Sequence, residues 1–363
     1  MGYFSSHSIA LNPSATIVLD CERMKYPHTG LYHYCLHLGR NLVERNKELH
    51  KLCFYLPSGL VGLFGKDQCY LPQQVLHKLF LPDTRNVDIW HSTHQTTHYF
   101  PWNFKGPVVL TVHDLNYIYD SRKSAEKKKT YLRKMKKKID RADHIIAISD
   151  YTRNDLQKHF DLGNKPCSTI YNGCNIEAVT EVKDPAYLPK QPFLFTIGTI
   201  AEKKNFHVLP PLLKQNDLQL VIAGITHSQE YKQKIIEVAK SHKVQDRLVF
   251  TGPVSENDKQ WYLKHCRAFL FPSISEGFGL PVVEAMYFGK PVLLSKATSL
   301  PEIGGAAAYY FESFDPLSMQ DTLVKSLQDY EANDRCGSIR LQSEKFSWPY
   351  AAEQYLNVYD SLK

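Results

Sequence analysis

Two glutamates that flank a glycine-rich turn are the residues of this sequence best suited to chemistry. The segment Ser275–Met286 reads SEGFGLPVVEAM and places Glu276 and Glu284 eight positions apart. Glycines allow a tight turn and a close approach of a ligand to the main chain, and Pro281 suits the first position of a helix. The free N–H groups of that helix's first turn, where we also expect Glu284, favour an anion such as a diphosphate.

The two carboxylates are expected beside the anion, because like charges repel. Carboxylate oxygens accept hydrogen bonds, so Glu276 and Glu284 are suited to the hydroxyl groups of a ribose or another sugar. The residues that we expect around the phosphates are Gly277, Phe278, Gly279 and Leu280. The alternative is an ordinary helix start at which both acids are incidental.

Two lysines in a second loop could neutralise the same diphosphate. The segment Ile197–Asn205 reads IGTIAEKKN and follows an apolar run typical of a strand. We expect the phosphates to be contacted by Gly198, Thr199, Lys203 and Lys204. The cationic groups would stabilise the charge that develops on a leaving diphosphate. The alternative is a pair of solvated lysines at the start of a helix.

Histidines follow two other apolar runs. His113 comes directly after VVLTV, and open parallel sheets bind ligands beyond the carboxyl ends of their strands. This position favours a functional role, although a single histidine is more often structural. His91, His94 and His98 could ligate zinc, but the run contains no carboxylate or cysteine partner, so we expect no metal there. Contacts to an acceptor or simple loop polarity are the alternatives.

Short apolar runs alternate with helical patterns along the chain, which predicts two α/β halves with parallel sheets. The first half contains predicted strands at Thr16–Leu19, Leu52–Leu56, Val87–His91, Val108–His113, His144–Ile148 and Thr169–Tyr171. The second half contains predicted strands at Phe193–Ile197, Leu218–Ala223, Leu248–Thr251, Ala268–Phe271, Val292–Leu294 and Ala307–Phe311. Helices are predicted at Gly30–Glu48, Ser124–Lys138, Tyr151–His159, Asn205–Lys214, Gln229–Lys240, Asp258–His265, Pro281–Phe288, Pro316–Tyr330 and Trp348–Leu362.

A proline-rich stretch without periodicity, Val182–Pro192, predicts a linker between the halves. A cleft between two such domains is a preferred place for a small-molecule site. The composition is that of an ordinary globular protein, with 43% hydrophobic and 22% charged residues. The eight cysteines show no metal-binding or disulfide spacing, so we expect reduced thiols in a cytoplasmic protein.

Much of the net charge of +7 lies between Arg122 and Arg141, where eleven basic residues stand against two acidic ones. A solvated helix face is one explanation. The other is a peripheral contact with anionic lipid headgroups at the inner face of the plasma membrane. We do not expect nucleic acid as a partner, because the segment holds one tyrosine and no array of stacking aromatic residues.

The two loops together resemble those of a known enzyme family. SEGFGLPVVEAM contains the E-x7-E arrangement of the retaining GT-B glycosyltransferases called glycosyl transferases group 1. IGTIAEKKN is similar to the family segment G-T-x-x-x-R-K-N, with Lys203 in the place of the usual arginine. HTGLY at 28–32, TVHDL at 111–115, ISDYT at 148–152, YNG at 171–173 and SLPEIGG at 299–305 resemble further family segments.

The resemblance implies an α/β GT-B fold, in which two Rossmann-like domains face each other across a cleft. Residues 1–182 would form the acceptor-side domain, residues 183–345 would bind the nucleotide sugar, and 346–363 would cross back onto the first domain. It further implies that Gly30 approaches the donor phosphate and that His113 contacts the donor sugar. Glu276 and Lys204 would complete the catalytic set, and the family needs neither a metal nor a cofactor.

The function implied is hexose transfer, with mannose from GDP-mannose as first choice, to a glycan or lipid-linked acceptor of lipopolysaccharide or O-antigen synthesis. Transfer from a UDP-sugar is the alternative within the family. A phosphorylase that uses pyridoxal phosphate and a non-catalytic nucleotide-sugar-binding subunit are more distant alternatives. A dinucleotide dehydrogenase would need G-x-G-x-x-G after the first strand, where this chain has Asp20-Cys21-Glu22-Arg23.

Overall fold

The computed structural model describes residues 14–27, 29–176 and 183–363, so His28 and part of the predicted linker lie outside the described residues. The strands are β1 Thr16–Asp20, β2 Lys51–Leu56, β3 Cys69–Pro72, β4 Ile89–Ser92, β5 Val108–Val112, β6 His144–Ala147, β7 Cys167–Thr169, β8 Phe193–Ile197, β9 Gln219–Ala223, β10 Leu248–Gly252, β11 Ala268–Phe271, β12 Val292–Ser295 and β13 Tyr309–Phe311. The α-helices are α1 Gly30–Asn46, α2 Asn116–Tyr119, α3 Ala125–Arg141, α4 Asp150–His159, α5 Gln229–Ser241, α6 Glu256–His265, α7 Leu280–Tyr287, α8 Leu300–Gly304, α9 Pro316–Ala332, α10 Arg335–Glu344 and α11 Trp348–Asp360.

The strands form two parallel sheets, which confirms the predicted α/β class. The first sheet has the order β3-β2-β1-β4-β5-β6-β7, and the second has the order β10-β9-β8-β11-β12-β13. Central strands such as β5 and β9 are buried along their whole length. Helices cover both faces, and this is why these strands are continuous apolar runs in the sequence.

Strand order decides which loops meet. In the first sheet β1 lies between β2 and β4, and in the second sheet β8 lies between β9 and β11. Strands that follow β1 and β8 are added first on one side of that strand and then on its other side. The loops on the two sides diverge there, which opens a crevice beyond the carboxyl ends of the strands. The loop after β8 contains Gly198–Lys204 and the loop after β11 contains Glu276–Gly279, so both predicted donor segments leave adjacent strands.

The last helix packs on the first sheet, as the family resemblance implied. Tyr355 of α11 lies with its hydroxyl 2.7 Å from that of Tyr34 in α1. Tyr359 of the same helix lies 2.7 Å from Nδ1 of His91. Trp348 and six further buried residues of α11 belong to the core between α1 and the sheet (Ala351, Ala352, Leu356, Val358 and the two tyrosines complete the set).

The prediction of reduced thiols is wrong for one pair. Cys53 of β2 and Cys69 of β3 form a disulfide, while the other six cysteines are free. The two residues are 16 positions apart in the chain, but the parallel register of β2 and β3 places them side by side. Strand β3 was not predicted, because it is four residues long and ends in a proline.

One prediction of a helix also needs correction, and some helices were not predicted. Residues 205–214 form two short 3-10 turns instead of one α-helix, because Pro210 and Pro211 lack the N–H donors that a helix interior requires. Asn205 before them has a left-handed backbone conformation. Helices α2, α8 and α10 were not predicted. Among the described residues no helix has the length and apolar character needed to cross a membrane.

Candidate active site between the two sheets

The glycine loop lies between β11 and α7. Gly279 precedes the helix with φ of +103°, a backbone conformation that residues with side chains rarely adopt. Helix α7 begins at Leu280, so Pro281 is its second residue instead of the first. Glu284 is its fifth residue, and the expectation that this acid lies in the first turn is therefore wrong. The loop still presents the free N–H groups of α7 beyond the sheet.

The glycine loop touches the first sheet directly. A Cβ atom at Gly277 would collide with the main-chain oxygen of His113. The Ser149 hydroxyl donates to the main-chain oxygen of Gly277 over 2.8 Å, and the Thr152 hydroxyl donates to that of His113 over 3.2 Å. Two residues predicted separately from the sequence, Gly277 and His113, are thus in contact across the two halves.

Lys204 and Glu276 form a buried ion pair beside this loop. Their Nζ and Oε1 atoms are 2.5 Å apart, and the side chains are only 11% and 12% exposed. The ammonium group also lies 4.5 Å above the ring of Phe271. Burial lowers the pKa of Lys204 more than Glu276 raises it. Burial raises the pKa of Glu276, but the charges of Lys204 and Lys203 outweigh it and leave that pKa lowered.

Lys203 extends the positive charge toward the first sheet. Lys203 is exposed, whereas Lys204 is buried. Burial raises the pKa of Asp114, and the charge of Lys203 opposes that rise across the crevice. Gly198 lies against the stem of Lys204, since a Cβ there would sit 3.0 Å from its Cε. Thr199 is exposed. The loop after β8 therefore carries one buried and one accessible cation.

Glu284 has a lysine partner that the sequence analysis did not identify. Lys259 of α6 lies with Nζ 3.0 Å from Oε1 of Glu284 and 2.8 Å from Oε2 of Glu256. Burial alone would lower the pKa of Lys259, but the two carboxylates outweigh it and raise that pKa. A signal was present, because Lys259 stands three and four positions before Tyr262 and Leu263 on the apolar side of α6.

His113 lies directly after β5 and is buried. Its Nε2 lies 2.9 Å from the main-chain oxygen of Thr93, to which it donates, and its ring packs edge-on against Tyr34 at 4.6 Å. Burial lowers its pKa to about 4, so the ring is neutral near pH 7. Since Nε2 carries the proton, Nδ1 is the nitrogen that could accept a hydrogen bond from a sugar hydroxyl.

Three other predicted positions differ in what they offer a ligand. The Phe278 side chain is buried between Tyr171 and Phe346, so only its main chain faces the loop. Leu280 is partly exposed at the start of α7. Gly30 is the first residue of α1, and a Cβ there would meet no atom within 4 Å. The contacts of these residues with a donor stay predictions.

Two histidines of the run, His91 in β4 and His94 after it, are part of the packing, whereas His98 is exposed. His91 is fully buried, with Nε2 2.8 Å from the Thr111 hydroxyl. His94 lies with Nδ1 2.9 Å from the Thr96 hydroxyl, and burial holds its pKa well below 6.5. In the described part of the chain, no group of three or more His, Cys, Asp or Glu residues is arranged to hold a metal.

A buried acidic group at the end of β1 escaped the sequence analysis. Asp20 accepts hydrogen bonds from the Thr97 hydroxyl at 2.6 Å and from the Glu22 N–H at 3.1 Å. Burial raises its pKa to about 7. Lys138 of α3 reaches the same loop and donates to the main-chain oxygens of Gln95 and Thr97. This group lies on the side of the crevice opposite the glycine loop.

Comparison with protein families matches almost the whole chain in two parts. Residues 28–178 match the model of Glycosyltransferase Family 4. Residues 180–340 match the model of Glycosyl transferases group 1. The second match contains both the Lys203–Lys204 loop and the Glu276–Glu284 segment.

Individual proteins resemble the chain over nearly its full length. O-antigen chain mannosyltransferase B of Escherichia coli is 24% identical over 95% of this chain and 100% of that protein. The structure of sucrose-phosphate synthase from Thermosynechococcus elongatus matches 96% of this chain and 99% of that one, with TM-score 0.75 and 18% identity. Anabaena HepE in complex with UDP-glucose matches 96% and 100%, with TM-score 0.75 and 16% identity. These likenesses establish the GT-B fold.

Proposed function

Because this chain belongs to the GT-B glycosyltransferases of the group 1 and family 4 type, we propose that it moves a hexose from a nucleotide sugar onto a glycan or a lipid-linked acceptor. The observation that carries the proposal is the buried Lys204–Glu276 pair next to the glycine loop. A buried lysine whose pKa is lowered by desolvation gains from an added negative charge. The donor diphosphate would supply that charge.

Each part of the crevice has a role in this proposal. The free N–H groups at the start of α7 and the cations Lys203 and Lys204 would hold the diphosphate. Glu276 would accept hydrogen bonds from the sugar hydroxyls and Glu284 from those of the ribose. His113, on the opposite side, would orient the sugar through Nδ1.

The chemical step follows from the same placement. The bond between the anomeric carbon and the diphosphate oxygen breaks, and the acceptor hydroxyl oxygen forms the new bond to that carbon. Its proton passes to the leaving diphosphate. Lys203 and Lys204 would stabilise the leaving group most strongly as the bond breaks, which lowers the barrier. We propose retention of anomeric configuration through attack from the same face, without a covalent intermediate on the protein.

Mannose is the favoured sugar and GDP-mannose the favoured donor. Support comes from the E. coli relative, which carries the name of an O-antigen chain mannosyltransferase. A UDP-sugar is the second candidate, because the similar HepE structure contains UDP-glucose. The acceptor would be a lipid-linked precursor of lipopolysaccharide, O-antigen or a related polysaccharide, presented at the inner face of the plasma membrane.

A thermal-shift series with GDP, UDP and ADP tests the nucleotide site. We expect GDP to raise the melting temperature most, because a ligand that binds only the folded state stabilises it. Hydrolysis of GDP-mannose and UDP-glucose then identifies the donor. The Lys204→Ala variant should lose the shift in melting temperature. The matched control is Lys296→Ala, in an exposed Lys–Glu pair, which should retain the shift. A shift without donor turnover would identify a non-catalytic subunit instead.

A further inference from the structure

Four large apolar side chains point into solvent from one short segment after β3. Val75, Leu76, Leu79 and Phe80, here called the apolar tip, are each 68–76% exposed. The segment contains the 3-10 turn Val75–Lys78. Single exposed apolar residues are ordinary, but four within six positions form a patch of the kind that marks an interaction surface.

The apolar tip is held in this exposed position by its neighbours. The Gln73 N–H donates to the main-chain oxygen of Leu56 at the end of β2 over 2.8 Å. Nδ1 of His77 accepts from the Gln74 N–H at 3.3 Å and lies 3.2 Å from the hydroxyl of the buried Tyr55. Leu81, directly after the tip, is partly buried and packs against the core. Anchors on both sides therefore keep the tip from folding onto the protein.

The basic helix α3 lies on the same side of the molecule. Leu81 joins the core layer that contains Met135 and Ile139 of α3, whereas α1 and α11 pack into the other layer of the first sheet. The exposed cations of α3 are Lys127, Lys129, Arg133, Lys134 and Lys137. The apolar tip adds Lys78, which is also exposed.

Lys78 and Lys138 of α3 both lie near the loop that contains His98. Burial lowers the pKa of His98, and the charges of Lys78 and Lys138 both act on the same ring to lower it further. The tip follows β3, and the loop of His98 follows β4, so both lie beyond the carboxyl edge of the first sheet. This is the edge at which His113 faces the crevice.

We propose that the apolar tip and the basic face of α3 together form a docking surface for a bilayer that contains anionic phospholipid. The tip would insert Val75, Leu76, Leu79 and Phe80 among the acyl chains, while Lys78 and the α3 cations contact headgroup phosphates. Apolar insertion and electrostatic attraction add to each other in interfacial binding. A second copy of this chain fits less well, because it would bring two basic helices together.

This inference extends the lipid contact that was one explanation of the basic segment Arg122–Arg141, and it assigns that contact an apolar anchor. It does not depend on the identity of the donor. The surface adjoins the crevice from the acceptor side, so docking would bring a lipid-linked acceptor to the same edge of the first sheet.

Flotation of the full chain with vesicles tests the proposal. We expect binding to vesicles of equal parts phosphatidylcholine and phosphatidylglycerol, and weak binding to phosphatidylcholine alone. The double variant Leu79→Ser/Phe80→Ser should lose binding by roughly tenfold or more, given the apolar area removed. Lys129→Glu/Lys137→Glu should also lose binding, and that loss should shrink as salt is added. The matched control is Leu317→Ser/Leu341→Ser, two exposed leucines of α9 and α10, which should bind like the wild type.

Two results would overturn the proposal. One is wild-type vesicle binding by the Leu79→Ser/Phe80→Ser variant, or an equal loss in the Leu317→Ser/Leu341→Ser control. The other is a lipid-free dimer, seen by light scattering, that the tip variant abolishes. Donor hydrolysis in solution should be unchanged by the tip variant. Failure of docking and failure of the proposed transfer reaction are therefore seen in separate assays.

Discussion

Two lysine–glutamate pairs lie on either side of the glycine loop, and they are built differently. Lys204 contacts one carboxylate, that of Glu276, and burial lowers its pKa. Lys259 contacts two carboxylates, those of Glu284 and Glu256, and its pKa is raised. Both lysines and both glutamates of the loop segment are largely buried, so burial alone does not explain the difference.

The number of negative partners and the repulsion that Lys203 exerts on Lys204 explain it. Desolvation disfavours a charged lysine, and each nearby carboxylate offsets part of that cost. Lys259 is fully compensated by protein groups, which suits a residue that holds Glu284 in place. Lys204 is under-compensated without a ligand, which suits a residue that receives an anion. The first pair thus points to donor binding, and the second points to positioning of the ribose acceptor Glu284.

The largest expected effect comes from breaking the first pair. Lys204→Ala or Glu276→Ala should lower kcat for donor turnover by roughly 100- to 1,000-fold, the range for loss of one group that stabilises a leaving charge. Steady-state kinetics with the donor found in the thermal-shift series measure it. Lys296→Ala, from an exposed pair, serves as the control and should retain wild-type kcat. Full turnover by either site variant would contradict the assigned role.

Breaking the second pair, Lys259 with Glu284, should lower the free energy of unfolding. Lys259→Met leaves Glu284 buried without its lysine, and removal of one partner of a buried pair costs about 3 kcal/mol in free energy of unfolding. Urea denaturation measures the loss. The double variant Lys259→Met/Glu284→Gln should recover much of that free energy of unfolding. Its KM for the donor should stay above that of the wild type, because the Glu284 carboxylate is absent. If the double variant were as unstable as the single one, the unpaired carboxylate of Glu284 would not be the cause of the lost stability.

Asp20 is a third buried acid, and within the ranges that the structure describes it has no lysine as a hydrogen-bond partner. It therefore tests whether a lysine partner decides if the pKa of a buried carboxyl is raised or lowered. Asp20 accepts only neutral donors, Thr97 and the Glu22 N–H, and burial raises its pKa from 3.8 to about 7. The folded state therefore binds the proton more tightly than the unfolded state. Its stabilisation is complete below about pH 4 and is lost as pH rises through about 7.

The matching measurement compares the wild type with Asp20→Asn by urea denaturation from about pH 5 to about pH 8. We expect the free energy of unfolding of the wild type to fall relative to the variant as pH rises. A difference that does not change with pH would mean that Asp20 titrates alike in both states. A difference that changes in the opposite direction would mean that its pKa is lowered.

The smallest effect is expected at an exposed pair that joins the two halves. Arg122 and Glu202 are 3.0 Å apart, but their side chains are 63% and 47% exposed. Exposed pairs contribute about 0.5 kcal/mol or less, and salt screens them. Arg122→Ala should therefore change the free energy of unfolding by no more than this amount in urea denaturation at moderate salt. A loss comparable to that of Lys259→Met would show that contact between the halves depends on surface charge.

Local patterns were sufficient for much of the fold. Buried runs such as VVLTV of β5 are apolar throughout, and this predicted a strand and the position of His113 at its end. Ser149 stands directly before α4, as serine commonly does at a helix start, and its side chain accepts from the Thr152 N–H. The short edge strand β3 and the 3-10 turns after Asn205 were misjudged, because proline and pairing with a neighbouring strand override local propensity there.

The sequence by itself determined the types of residue at the site and the loops that carry them: two glutamates, two lysines and the glycines of a helix start. Only the tertiary structure decided which of them pair. Lys204 meets Glu276 because β8 and β11 are adjacent, and Lys259 meets Glu284 because α6 packs beside α7. Sheet order and helix packing bring together residues 25 and 72 positions apart, and spacing along a chain does not encode such distances.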